Sequence, residues 1–148
     1  MLKARRPRRV LDLGTGTGVL GISTAKALRV KLLASDIDPL AVRVARDNAR
    51  LNGVGDLVQT LRATGFSAPD FGKHGPFNLV LANILANPLR QMATPMATHL
   101  ARSASVILSG LLPHQAQGVI AAYRARGLVL ERHLIVEGWS SLLMRRAE

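Results

Sequence analysis

The chain has 148 residues, 48% hydrophobic and 20% charged, which predicts one folded domain, residues 1–148, rather than a disordered chain. It has no cysteine, which excludes disulfides and thiolate metal sites and fits a cytoplasmic protein, and no apolar stretch approaches the roughly 18 residues of a membrane span. The net charge of +11 leaves a nucleic-acid partner possible, but an aromatic content of 3% provides no stacking platform for single strands, so this partner is not favoured.

The first part of the chain alternates apolar runs with helical patterns. Residues 8–13 are a predicted strand that ends at a glycine-rich loop, and apolar residues spaced by three from Val19 to Leu28 predict a helix. Residues 30–35 are a second predicted strand. Asp38-Pro39 then starts a helix, with Asp as the N-cap and Pro at the first helical position, and Asn52-Gly53 ends it.

The second part continues the alternation and ends differently. Asn87-Pro88 predicts the start of a helix that runs to about Ala101 and that Pro95 must kink or shorten. Another helix is predicted from Pro113 to Arg126. Further strands are predicted at residues 57–61, 77–82, 105–109, 128–136 and 139–144, the last two forming an antiparallel hairpin. This order predicts a doubly wound α/β domain with a parallel sheet covered on both faces.

The stretch VLDLGTGTGVLG carries the first functional signal. Gly16 to Gly21 spells G-x-G-x-x-G, the fingerprint of nicotinamide dinucleotide sites. In those sites, however, the first glycine follows the strand directly. The first glycine here is Gly14, and counting from it puts Val19 where the third glycine should be. When the fingerprint is aligned on the end of the strand, its third glycine therefore has no match in this sequence.

An acidic residue before the glycines indicates a different cofactor. Asp12 turns the loop into acid-x-G-x-G-x-G, and its carboxylate would repel a pyrophosphate but suit the ammonium group of S-adenosylmethionine. The backbone at Gly14 and Gly16 can approach this ligand closely. Asp36, at the end of the second strand, is predicted to accept ribose hydroxyls, and its neighbour Ile37 is counted among the cofactor contacts. The alternative is a simple tight turn in which Asp12 caps the following helix.

Asn83 is the candidate catalytic residue. FNLVLANILANP places it at the carboxyl end of the fourth strand, in the crevice where open α/β sheets bind ligands. Methyltransferases of amino groups often carry Asn-Pro-Pro-Tyr there, whose acceptors hold the target nitrogen. Here Asn83-Ile84-Leu85-Ala86 has no aromatic residue to stack on a flipped base, which disfavours a nucleic-acid base as substrate. We predict Asn83 to contact both amine and cofactor; the alternative is that it only ends the strand.

Four segments together resemble a known family: VLDLGTGTGVLGISTAKAL, ASDIDPLAVRVARDNARLNGV, FNLVLANILANPL and VILSGLLPHQA. They are similar to the catalytic domain of the methyltransferases that act on the eleventh protein of the large ribosomal subunit, from about Arg9 to Arg145. The resemblance implies the class I S-adenosylmethionine-dependent methyltransferase fold, Rossmann-like, with a seven-stranded doubly wound sheet whose last strand is antiparallel. It also implies methyl transfer to the N-terminal amine and lysine side chains, with cofactor contacts at Gly14, Asp36 and Asn83.

The sequence departs from that family at its start. Members carry an N-terminal substrate-recognition domain, and a Phe-Gly-Thr-Gly-x-His-x-Thr-Thr segment before the first strand, and neither has a match before Val10. We therefore expect cofactor binding but reduced activity on the ribosomal protein. A non-catalytic S-adenosylmethionine-binding module and an RNA methyltransferase remain alternatives, with a nicotinamide-binding domain as a distant third. The four histidines have no ligand spacing, so no metal is predicted.

Overall fold

The computed structural model describes residues 6–147, which form seven strands and six helices. One 3-10 turn, Pro113–Gln115, precedes the last helix. The bounds in chain order are β1 (Val10–Leu13), α1 (Val19–Leu28), β2 (Leu32–Asp36), α2 (Pro39–Leu51), β3 (Val58–Arg62), α3 (Asp70–His74), β4 (Phe77–Asn83), α4 (Ala86–Gln91), α5 (Ala93–Thr98), β5 (Leu100–Leu111), α6 (Ala116–Arg124), β6 (Leu128–Val136) and β7 (Trp139–Arg146).

All seven strands belong to one sheet with the order β3-β2-β1-β4-β5-β7-β6. Strand β7 is antiparallel to both of its neighbours, and the pairs among β1 to β5 are parallel. The predicted fold class and the terminal hairpin are therefore confirmed. The strand order reverses between β1 and β4, so the loops that follow these two strands lie side by side at the carboxyl edge. None of the helices in residues 6–147 is long and apolar enough to cross a bilayer.

Helices α3 to α6 cover one face of the sheet. Val80, Val106 and Leu108 are fully buried on this face, in a cluster that includes Tyr123 of α6. The Tyr123 hydroxyl donates a hydrogen bond of 2.9 Å to the carbonyl oxygen of Leu89 in α4. Burial raises the pKa of this phenol, so the hydroxyl keeps the proton that it donates. The larger core of the domain lies on this side.

The opposite face is covered only in part. Helices α1 and α2 pack over β1, β2 and β3, where Val10 and Leu32 are buried. Further along, Ile107 and Leu143 are Cα partners on β5 and β7 on this same face, yet Ile107 is 36% exposed and Leu143 only partly buried. The described crossovers from β4 and β5 place their helices on the other face, and the hairpin brings none. The prediction of a sheet covered on both faces is therefore wrong for this part of residues 6–147.

Several predicted element boundaries were also wrong. The helix after β4 begins at Ala86, so Asn87 lies inside its first turn instead of capping it. Pro88 fits in that turn because the first backbone N–H groups of a helix have no intrahelical acceptor. The predicted effect of Pro95, by contrast, is confirmed: it has no N–H to donate to Gln91, and the helix is divided into α4 and α5.

Other differences concern lengths and faces. Helix α3 lies between β3 and β4, where no helix was predicted, β5 begins at Leu100, five residues before the predicted strand, and α6 ends at Arg124. Val19 has the apolar spacing of the buried face of α1 but is 64% exposed, because the helix begins there at the rim of the sheet.

The partly covered face predicts unequal effects at two adjacent residues of β5. Leu108→Ala removes a fully buried side chain and should lower the free energy of unfolding by about 2–5 kcal/mol. Ile107→Ala removes a side chain from the partly covered face and should cost only about 1 kcal/mol. Urea denaturation of the two variants measures the difference. Equal losses would show that Ile107 is packed as tightly as Leu108.

Candidate functional site

The loop after β1 is organised around Asp12. This side chain is 1% exposed, and its Oδ2 atom accepts hydrogen bonds from Thr15 Oγ1 at 2.7 Å and from the backbone N–H of Gly21 at 3.0 Å. One carboxylate oxygen thus joins the end of β1, the loop and the first turn of α1. A Cβ on Gly21 would lie 2.8 Å from Asp12 Oδ2, so α1 can approach the carboxylate this closely only because residue 21 is glycine.

The structure therefore gives Asp12 the capping role that the sequence left as an alternative. Its contact with an ammonium group stays a prediction. Burial raises the pKa of Asp12, and the negative charge of Asp36 adds to the increase; the hydrogen bonds from Thr15 and Gly21 lower it in part. A cation brought near this carboxylate would favour its ionised form.

Glycines 14, 16 and 18 give this loop its shape. Their φ angles are +70°, +57° and +88°, a left-handed region that residues with a side chain rarely adopt. No other described atom lies within 4 Å of the position that a Cβ on Gly16 would occupy. A Cβ on Gly14 would instead lie 2.4 Å from Ile84 Cγ2, so Gly14 packs directly against the chain that follows β4. The loop therefore has free space beside Gly16, whereas Gly14 is packed against Ile84.

Asp36 connects the second strand to this loop. Its Oδ2 accepts a hydrogen bond of 2.9 Å from the backbone N–H of Gly16, and its Oδ1 accepts one of 3.0 Å from the backbone N–H of Asp38. Ile37 follows with an exposed side chain, and its carbonyl oxygen accepts a hydrogen bond from Arg62 Nε at 3.3 Å. Asp36 therefore lies at the rim of the glycine loop, as predicted from its place at the end of the strand. Its contact with a ribose stays a prediction, as does the cofactor contact of Ile37.

Asn83 ends β4 with an exposed side chain. Its Cα partner on β5 is Ser109, and the next residue, Gly110, has a φ of +82°. A Cβ on Gly110 would lie 2.5 Å from Asn83 Oδ1 and 3.3 Å from the carbonyl oxygen of Ile84. The Asn83 side chain therefore packs directly against Gly110, and the carbonyl oxygen of Ile84 lies close to the same residue.

The predicted site residues are brought to one edge of the sheet. Asp36 contacts Gly16 by a hydrogen bond, and Gly14 contacts Ile84, the residue after Asn83. The sequence reasoning missed three residues that complete this arrangement, Thr15, Ile84 and Gly110. The available signal for Gly110 was a glycine directly after an apolar strand, within the LSGLL segment that already carried the family resemblance.

A cavity of about 430 Å³ lies at the other end of β1, β2 and β3. Arg8, Arg9, Lys31 and His74 contribute to its lining, and none of the predicted site residues does. This cavity is therefore separate from the carboxyl edge where the site residues meet. Within residues 6–147, no group of three or more His, Asp or Glu side chains is placed to hold a metal ion.

Comparison with known proteins assigns the chain to a family. The model of the family described as Ribosomal protein L11 methyltransferase (PrmA) matches residues 2–147. The chain belongs to this family. A ribosomal protein L11 methyltransferase from Bradyrhizobium diazoefficiens is 70% identical over 146 residues, which are 99% of this chain and 50% of the relative. One from Allorhizobium ampelinum is 50% identical over 142 residues, 96% of this chain and 49% of the relative. The chain thus spans about half the length of the curated relatives it matches.

Solved structures agree with the L11 methyltransferase family and with the fold. The ribosomal protein L11 methylase from Lactobacillus delbrueckii subsp. bulgaricus superimposes with a TM-score of 0.88 at 27% identity, covering 99% of this chain and 73% of that one. An RNA methyltransferase from Salinibacter ruber in complex with S-adenosyl-L-homocysteine gives a TM-score of 0.75 at 22% identity, and the match covers 94% of this chain and 80% of that chain. The second likeness shows the fold alone. The domain has the class I methyltransferase fold.

The raised pKa of Asp12 predicts a pH effect on stability. The unfolded chain ionises this carboxyl near its ordinary pKa, whereas the folded chain resists ionisation, so stability should fall as the pH rises from about 4 through the raised pKa. Asp12→Asn removes this titration. Urea denaturation between pH 4 and 7 should therefore show the native chain losing stability relative to the variant. Asp47→Asn, on α2, controls for the loss of one carboxylate; identical pH slopes in all three proteins would contradict the prediction.

Proposed function

We propose that this domain binds S-adenosylmethionine at the carboxyl edge of the sheet and takes part in methyl transfer to amines of ribosomal protein L11. Its family membership supports this reaction. The observation that carries the proposal is the pair of acceptor oxygens, Asn83 Oδ1 and the carbonyl oxygen of Ile84, which both lie close to Gly110 at the end of β4 and next to the glycine loop. Such a pair suits a nitrogen that carries hydrogens. We place the reaction in the cytoplasm, because the proposed substrate is a ribosomal protein and the chain has no cysteine.

The residues present fit this cofactor. The open side of Gly16 leaves room for a ligand against the loop backbone, where a Cβ would intrude. Asp36 lies at the rim with both carboxylate oxygens near the loop, and each oxygen can accept a further hydrogen bond from a ribose hydroxyl. Ile37 beside it offers apolar surface for the base. A cationic amino-acid end nearby would favour the ionised form of the buried Asp12 carboxyl.

The chemistry required of these residues is mainly positioning. When bound, S-adenosylmethionine would supply an activated sulfonium methyl group for the nitrogen lone pair, with S-adenosylhomocysteine as the leaving group and one proton released from the nitrogen. Hydrogen bonds from the two amine N–H groups to Asn83 Oδ1 and to the carbonyl of Ile84 would fix the direction of the lone pair. Only a neutral amine has this lone pair, so a lysine, with a pKa of about 10.4, must first lose a proton. An amide cannot accept that proton, so solvent receives it.

The surroundings of Asn83 favour an alkyl amine over a nucleic-acid base. Leu85 is 73% exposed and Leu112 is 38% exposed, and they follow the ends of the paired strands β4 and β5. Their apolar side chains suit the aliphatic stem of a lysine. The positive net charge is the feature that favours RNA, but no aromatic ring follows Asn83 to stack on a base. We therefore rank a protein substrate above RNA, and a catalytic domain above a module that only binds the cofactor.

The cofactor assignment predicts a clear preference in binding. Isothermal titration calorimetry should detect binding of S-adenosylmethionine and of S-adenosylhomocysteine to this chain, and no binding of NAD. Asp36→Ala should weaken binding by about 1–3 kcal/mol, because a charged acceptor of ribose hydroxyls is lost. Asp47→Ala removes the same charge from α2 and should leave the affinity unchanged. Unchanged affinity in Asp36→Ala would place the adenosine elsewhere, and preferential binding of NAD would overturn the proposal.

The methyl transfer itself needs a longer protein for its test, since the chain spans half of its relatives. A fusion that adds the N-terminal half of the Bradyrhizobium relative should methylate ribosomal protein L11 with labelled cofactor, whereas this chain alone should incorporate little label. In the fusion, Asn83→Ala should lower kcat about 100-fold while cofactor affinity changes little, because the amine loses its orientation. Equal losses of kcat and of cofactor affinity would show that Asn83 is a cofactor ligand. Comparable incorporation without the added half would show that the domain recognises its substrate alone.

A further inference from the structure

The cavity at the amino ends of β1, β2 and β3 lies outside the proposed site and collects positive charge. Its volume of about 430 Å³ is within the range of small-ligand pockets. Arg8, Arg9 and Lys31, which are all cations at neutral pH, contribute to its lining together with His74. Of the described residues that line it, only Asp56 is acidic. We call this space the basic cavity.

Strand pairing brings two of these cations together. Val10 of β1 and Leu32 of β2 are Cα partners. Arg9 and Lys31 directly precede them in the sequence. Because paired strands are about 4.8 Å apart, the two cations enter adjacent strands at the same edge of the sheet. Like charges in neighbouring strand positions repel each other, and an anion bound between them would relieve that repulsion.

The start of β1 is held in place at the basic cavity. Asn78 Oδ1 accepts hydrogen bonds from the backbone N–H groups of Arg8, at 3.2 Å, and of Arg9, at 3.0 Å. Arg9 Nη1 donates a hydrogen bond of 2.7 Å to the carbonyl oxygen of Gly75, in a partly buried contact. A guanidinium has five N–H donors, so this contact orients the group and leaves donors for a further acceptor.

No carboxylate neutralises these cations in the part of the chain that the structure describes. Within residues 6–147, the ion pair closer than 4 Å is the one between Arg145 and Glu131 of the terminal hairpin, at 3.2 Å. Asp56 is exposed and forms no such pair with Arg9 or Lys31. The basic cavity therefore has cations without a protein counter-ion.

The two edges of the sheet differ in the charge that they attract. Asp12 and Asp36 lie at the carboxyl edge, where they would repel an anion. At the amino edge, Val10 and Phe77, each 1% exposed, contribute apolar wall beside the cations. A cleft that combines charges of one sign with apolar walls concentrates the electric field and attracts ions of the opposite sign.

We propose that the basic cavity binds a phosphate group. Phosphate oxygens are acceptors that suit the planar donors of Arg9 and the ammonium group of Lys31. The phosphate belongs either to a small ester or to the backbone of RNA, which present the same chemistry, and the net charge of +11 attracts both. The site is independent of the proposed function, because none of the proposed cofactor or amine contacts lines the basic cavity.

Inorganic phosphate is the first probe of this site. Titrated at constant ionic strength into the isotope-labelled chain, it should shift the backbone amide resonance of Gly55, in the lining, more than that of Gly16 in the glycine loop. Lys31→Gln removes one exposed cation and should weaken phosphate binding at least about tenfold, the effect of losing a charge-assisted hydrogen bond. Arg43→Gln removes an exposed cation of α2 outside the basic cavity and should keep the affinity.

A second arm separates the two sources of the phosphate. Uridine monophosphate and a single-stranded oligouridylate of about ten nucleotides are compared at the same ionic strength. Binding of the oligonucleotide at least about tenfold more tightly, with an affinity that falls steeply with salt, would identify RNA. Equal affinities would identify a small phosphate ester. Lys31→Gln should weaken the binding of both ligands, and Arg8→Gln serves as a second variant at the same cavity.

The outcomes that contradict the site are distinct from those that concern the cofactor. Equal phosphate affinities in the wild-type chain and in the Lys31, Arg8 and Arg43 variants would show that these cations are ordinary solvated charges. No binding of phosphate at millimolar concentration would also overturn the proposal. Saturation with S-adenosylhomocysteine should change phosphate affinity by no more than about twofold, because the two sites are at opposite edges. A chain that binds phosphate but not S-adenosylhomocysteine would contradict only the proposed function.

Discussion

The candidate site depends on a buried carboxylate that never reaches the surface. Asp12 accepts hydrogen bonds from Thr15 and from Gly21, so strand, loop and helix move as one unit. A carboxylate without such partners would be costly to bury. The left-handed glycines of the loop are therefore held in place by a contact behind them.

From that unit, close contacts extend across the carboxyl edge of the sheet. Gly16 donates to Asp36 on one side, and Gly14 touches Ile84 on the other; Ile84 and Asn83 in turn lie against Gly110. Backbone and short side chains make these contacts, and little adjustment is available to them. The places proposed for the cofactor and the amine are therefore joined by van der Waals contacts.

The sequence predicted those parts of the site that depend on local order. Asp36 and Asn83 could be found because parallel strands place their last residues at one edge, and the hairpin because only Glu137-Gly138 separates two strands. The inward orientation of Asp12 was left open, because the motif alone does not say which groups the carboxylate meets. Gly110 was missed because its neighbour Asn83 lies 27 positions away and meets it only through the register of β4 with β5. Asn87 and Val19 were misjudged because local patterns do not show where a helix meets the rim of a sheet.

The partly covered face has a consequence for how this domain is studied. Apolar area that is still in contact with water gains about 25 cal/mol per Å² when another surface covers it. Part of this stabilisation would come from covering the side chains of Ile107 and Leu143. Covering these side chains in a longer protein should therefore raise its melting temperature above that of this chain. Relatives with the same strand-end residues can differ in thermal stability solely through what lies over β5 and β7.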